Sequence, residues 1–90
     1  MEVRKSVRIS NSSGLHARPC HAVVSTALDH EAELRVACRG REVNGKSILE
    51  LMTLNASCGT ELELIATGSD AERLIEAIAA LVDDGFAEAY

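Results

Sequence analysis

Aromatic side chains are almost missing from this chain: Phe86 and Tyr90 are the only two, and there is no Trp. Stacking platforms for bases have nothing to be built from, and the basic residues are scattered, so nucleic-acid binding is not expected. No apolar run reaches the roughly 18 residues a membrane span needs, so no membrane insertion is expected either. The opening Met-Glu-Val-Arg-Lys is not an apolar signal region, which makes the cytoplasm the expected compartment. Cys20, Cys38 and Cys58 are odd in number and lack zinc-type spacing, which fits reduced thiols better than a disulfide framework.

Basic residues are also scarce in one half. Eight of the nine Lys and Arg lie at or before Lys46, where the net charge is +3; from Ser47 onward Arg73 stands alone among carboxylates and the net charge is −8. The polarity suits an acidic partner surface docking on the basic side. With 90 residues the chain makes a single domain, 1–90, with a modest core and little room for the deep cleft of a self-contained enzyme.

What is present alternates strand and helix signals. Val3, Val7 and Ile9 alternate with polar residues, and Lys5 breaks the inward pattern. Cys20, Val23, Val24, Ala27 and Leu28 recur on one helical face. Ala32, Leu34, Val36 and Cys38 mark a second strand, Arg39-Gly40-Arg41 a turn, and Glu42-Val43-Asn44 a short third strand. Ser47 to Leu54 reads as a short helix, and Leu62, Leu64 and Ala66 mark a fourth strand. Ala71 onward is a last helix with Ala71, Leu74, Ile75, Ile78 and Val82 on one face, and Ser69 with Glu72 forms its capping box. The order β-α-β-β-α-β-α in so short a chain predicts an α+β fold, an antiparallel sheet with helices packed on one face.

The run Gly14-Leu15-His16-Ala17-Arg18-Pro19 carries the chemistry. It puts a histidine one step before a helix start, with Pro19 in the opening turn, where its missing N–H is harmless. Unpaired backbone N–H groups at a helix N-terminus favour a bound anion, and Arg18 adds a forked donor for phosphate oxygens. A neutral imidazole there is a nucleophile beside a phosphate cradle. His16 is therefore the candidate phosphoryl acceptor and Arg18 the candidate stabiliser. His21 lies off the apolar stripe and His30 at a helix-to-strand turn; both read as ordinary surface residues.

Together with Gly45-Lys46-Ser47-Ile48 about thirty residues later and Gly59-Thr60-Glu61-Leu62, this hexad resembles the HPr family, phosphocarriers of the bacterial phosphotransferase system. The resemblance spans essentially the whole chain. It implies an open-faced β-sandwich, four antiparallel strands with three helices on one face. It implies that His16 is phosphorylated on Nδ1 by enzyme I at the expense of phosphoenolpyruvate. The group would then pass to a histidine on the A component of a sugar permease or a regulatory equivalent. The amides of Ala17 and Arg18 would be the nearest donors to the phosphate. No cofactor and no metal is implied, and the carrier would be a monomer rather than an enzyme.

Ser47 has two readings. With Glu50 three residues on it fits a capping box, and the resemblance implies phosphorylation by HPr kinase. Glu50 stands where many kinase-regulated relatives have a small residue. In the same helix Leu51 and Leu54 are the expected buried pair, which leaves Ile48, Leu49 and Met52 partly exposed as a docking patch. Cys20, where the family usually has alanine, and Cys38 fall on inward faces and read as packing. A metal site from His16, Cys20 and His21 would need an inward thiol to meet an outward imidazole. Two further function classes stay open: a regulatory interaction module of the same fold, and a small enzyme using His16 as acid or base.

Overall fold

The computed structural model describes residues 1–87. Its elements are β1 (Glu2–Arg8), α1 (Ala17–Leu28), β2 (Glu33–Cys38), β3 (Arg41–Asn44), α2 (Ile48–Met52), β4 (Glu61–Thr67) and α3 (Ala71–Asp83), followed by a 3-10 turn over Gly85–Ala87. The strands form one sheet in the order β1-β4-β2-β3, and every neighbouring pair is antiparallel. Alternation explains why one face is apolar. Val7, Leu34, Val36, Val43, Leu62 and Leu64 point to one side and share a buried cluster with Cys20, Val23, Leu51, Leu74 and Ile78 of the helices. The opposite face is open and lined by charged residues. This is the α+β open-faced sandwich that the element order implies.

Lys5 occupies an inward register position of β1 yet is exposed. β1 is an edge strand, and an inward-pointing charge there discourages pairing with another sheet. On the open face the exception is Ile65, 4% exposed but outside the core cluster. Its cross-strand neighbours are Arg4 and Arg35. Their heads are held by Glu2, Glu63 and Glu42, so apolar stems are left beside Ile65.

Three sequence expectations need correction. Leu28 is 64% exposed rather than on the buried face. Eight residues after Cys20, it has rotated about 80° around the helix, to the edge of the stripe. The Ser69–Glu72 capping box does not form: α3 begins after Asp70, with no side-chain cap. Asp70 instead accepts hydrogen bonds from the amides of Glu31 and Ala32, at 3.0 and 2.8 Å, tying α3 to the start of β2. Those amides, Glu31's first, hold its carboxyl below the ordinary range. Finally, α2 is shorter than Ser47 to Leu54, because Ser47 is its non-helical N-cap and Thr53 already its C-cap.

Candidate functional site

The loop before α1 is built by turn-forming residues. Asn11, buried, donates its side-chain amide to the Gly14 carbonyl at 2.7 Å, and Gly14 N–H returns to the Asn11 carbonyl at 3.2 Å. Gly14 has φ +73°, a region L side chains rarely adopt. An added Cβ would lie 2.6 Å from the Ala56 carbonyl oxygen, so only glycine fits this approach. Leu15 then donates to that same oxygen at 2.8 Å and buries its side chain.

His16 is the N-cap of α1, in extended conformation (φ −95°, ψ −166°). Its N–H bonds to the Gly14 carbonyl, and its own carbonyl accepts the Cys20 N–H, each at 3.0 Å. Half-buried rather than fully exposed, it borders a surface depression of about 310 Å³ with Leu15, Met52, Asn55, Ala56 and Ser57. Ala17 and Arg18 supply the first two amides of the helix, where no preceding turn offers an acceptor. Pro19 is buried in the same turn. Arg18 is exposed and borders a neighbouring depression of about 490 Å³ with Pro19, His21 and Phe86. His16 thus borders the depression that also touches Met52 of α2, and Arg18 borders the neighbouring one.

The second motif is packed as tightly. Gly45 donates to the Leu34 carbonyl at 2.7 Å, and a Cβ there would meet the Leu34 side chain at 2.5 Å. Lys46 spans to the end of α1, its ammonium donating to the His30 carbonyl at 3.0 Å. Ser47 Oγ accepts the Glu50 amide at 3.2 Å, the forward half of the expected box. The return half differs: Glu50 Oε1 accepts the Asn44 amide at 2.9 Å, while Ser47 N–H goes to the Asn44 carbonyl. Asn44, at the end of β3, thus takes both the carboxylate and the Ser47 N–H that the box would have joined. Leu51 and Leu54 are buried, whereas Leu49 is 79% and Met52 42% exposed. Ile48 is partly buried against the core.

A family model described as "PTS HPr component phosphorylation site" matches residues 3–84. The chain belongs to the HPr family. It is 37% identical over 86 residues to phosphocarrier protein HPr of Treponema pallidum, covering 96% of this chain and 98% of that one. The solved HPr-C-His of Thermoanaerobacter tengcongensis superposes with a TM-score of 0.93 at 35% identity, covering 98% and 99%. A multiphosphoryl transfer protein of Vibrio cholerae is 36% identical over 84 residues, 90% of this chain and 21% of that longer protein. HPr proteins are phosphocarriers of the phosphotransferase system, and the open-faced sandwich is their fold.

Cys20 and Cys38 are buried and Cys58 is exposed. Cys20 is fully enclosed, its thiol directed at the Leu15 carbonyl 3.7 Å away, and burial pushes it up to about 11. It stays a protonated packing residue at neutral pH. It therefore does not join His16 and His21, and among the described residues no group of three or more His, Cys, Asp or Glu could hold a metal ion. His30 Nδ1–H donates to the Thr26 carbonyl at 3.0 Å, within its own helix end. No helix among the described residues is long and apolar enough to cross a membrane. Sequence reasoning missed Asn55 and Ser57 beside His16. An Asn just past a helix C-terminus was the available signal, since it tolerates the left-handed conformation Asn55 adopts (φ +52°).

Proposed function

We propose that this chain, one HPr domain over 1–90, is a stoichiometric phosphocarrier whose acceptor is Nδ1 of His16. The lone pair of neutral His16 attacks the phosphorus carried by phospho-enzyme I, itself charged from phosphoenolpyruvate. The N–P bond to His16 forms as the bond to enzyme I breaks, so no water is consumed. The group then leaves by the same in-line displacement to a histidine on the A component of a sugar permease or a regulatory equivalent. The observation that carries this reading is His16 at the N-cap of α1, next to the open amides of Ala17 and Arg18.

The energetics suit a relay. A surface helix terminus contributes about 0.3–1 kcal/mol to a neighbouring negative charge. Arg18, exposed, adds a charge-assisted donor. A carrier held much more firmly would retain its phosphate. Exposed Leu49 and Met52, of which Met52 borders the His16 depression, serve with partly buried Ile48 as the docking patch used in turn by enzyme I and the acceptor. Methionine adapts to successive partners. The charged edge strand β1 supports a monomer. Incubation with enzyme I and phosphoenolpyruvate should add one acid-labile, alkali-stable phosphate per chain, read by intact-mass spectrometry. A chain that stays unmodified overturns the reading.

Ser47 is the candidate for a second, regulatory phosphorylation by HPr kinase. Its phosphate would keep the Glu50 amide but share a turn with the Glu50 carboxylate, which is anchored on Asn44. With ATP and HPr kinase, phosphoserine at Ser47 is expected, and Glu50→Gln should raise its rate by about 1.5-fold to 2-fold. No phosphoserine in either protein would leave Ser47 as a helix cap alone.

A further inference from the structure

Arg41 is a charged residue on the core-facing register of a strand. Val43, two positions on, is buried on the same side. At the hairpin end Arg41 instead reaches the end of α2, where Nη1 donates to the Thr53 carbonyl and Nη2 to the Thr53 hydroxyl, each at 3.0 Å. Thr53 Oγ1 in turn donates to the Glu50 carbonyl at 2.6 Å. Both partners of this fork lie at the C-cap of a five-residue helix. So short a helix has almost no stability of its own, and its carbonyl end favours a cation. Three residues further on, Ala56 holds the Leu15 amide at 2.8 Å, and Leu15 is joined directly to His16.

We propose that Arg41 is a positioning residue for phosphoryl transfer, locking the end of the docking helix through Thr53 so that Ala56 holds the His16 loop in register. The inference rests on the phosphocarrier reading. It explains why a guanidinium rather than an apolar residue opens β3: only a planar fork reaches carbonyl and hydroxyl together. It also gives the docking patch and the acceptor a common anchor. Met52 and Ala56 bracket Thr53 in sequence and both border the His16 depression.

The test compares Arg41→Lys, Arg41→Gln and Thr53→Val with the unsubstituted chain. The readouts are kcat/KM of enzyme I for the carrier, the transfer rate at saturating carrier, and hydrogen exchange of the Leu15 amide. Lysine keeps the charge and loses the fork; Thr53→Val keeps Arg41 and removes the hydroxyl. Each should lower kcat/KM on the order of 10-fold, with part of the loss in the saturating rate, because small misplacement of a reacting group is costly. Leu15 exchange should speed by a similar factor while the melting transition stays cooperative. Wild-type values for Arg41→Lys, with only Arg41→Gln slow, would show charge attraction and overturn the lock. Unchanged Leu15 exchange in all three would overturn it as well. An unsubstituted chain that takes no phosphate overturns the carrier reading itself, a result distinct from both.

Discussion

Replacing His16 by Ala is expected to abolish acid-labile phosphorylation by enzyme I and phosphoenolpyruvate, to below detection, while the fold survives. The loop around position 16 is held by backbone bonds from Leu15 to Ala56, from His16 to Gly14 and from Cys20 to His16, and none of them uses the imidazole. The melting temperature should therefore move by no more than roughly 5 °C, the scale of about 1 kcal/mol in a chain of this size. The readout is intact mass after incubation, with circular dichroism on the same sample. Neither of the other two histidines shares the helix-start setting of His16. His21 is exposed within the body of α1 rather than at its start, and His30 is committed to the Thr26 carbonyl. Residual acid-labile label on the variant would place the acceptor elsewhere and remove the central assignment. Retention of label together with loss of transfer to an A component would instead make His16 a docking residue.

The residues that made this site legible in the sequence are those whose role is local. A helix N-cap, the proline after it and the glycine before it act within a few positions of chain, so Gly14 to Pro19 could be read directly. The alternation of Leu34, Val36 and Cys38 and the stripe of Cys20, Val23, Val24 and Ala27 are likewise local periodicities, and all are buried. The missed features depend on partners in other elements of the fold. The capping box expected of Ser69 and Glu72 gives way to Asp70, whose carboxylate is taken by the amides of Glu31 and Ala32. Glu50 serves Asn44 because β3 ends beside α2. Arg41 looked like a turn residue, and its fork to Thr53 exists only once the hairpin and α2 are packed. Ile65 falls outside the alternation of Leu62, Leu64 and Ala66, and its cross-strand neighbours are arginines on the two flanking strands. Periodicity states which face is apolar; it carries no information on which side chains meet across the fold.

Gly14→Ala tests the one long-range contact that the phosphoacceptor loop cannot lose. Position 14 has φ +73°, and a methyl group there would stand 2.6 Å from the Ala56 oxygen and 2.9 Å from Ser57 Cα, both backbone atoms. Neither can swing aside as a side chain end would, so one segment must move. Movement breaks or bends the Leu15 to Ala56 hydrogen bond. The combined strain and overpacking should cost about 2–4 kcal/mol, lowering the melting temperature by roughly 10–20 °C. Gly40→Ala separates the two causes. Gly40 has a similar φ of +82° but nothing within 4 Å of its would-be Cβ. It should lose only the conformational part, about 1 kcal/mol. At a temperature where both variants are folded, Gly40→Ala should accept phosphate at the unsubstituted rate. Gly14→Ala should be slower on the order of 100-fold, because the loop that carries His16 has shifted against the docking helix. Equal destabilisation by the two substitutions would mean that backbone strain alone matters at Gly14. Equal phosphorylation rates would mean that the contact with Ala56 stabilises the fold without setting the acceptor.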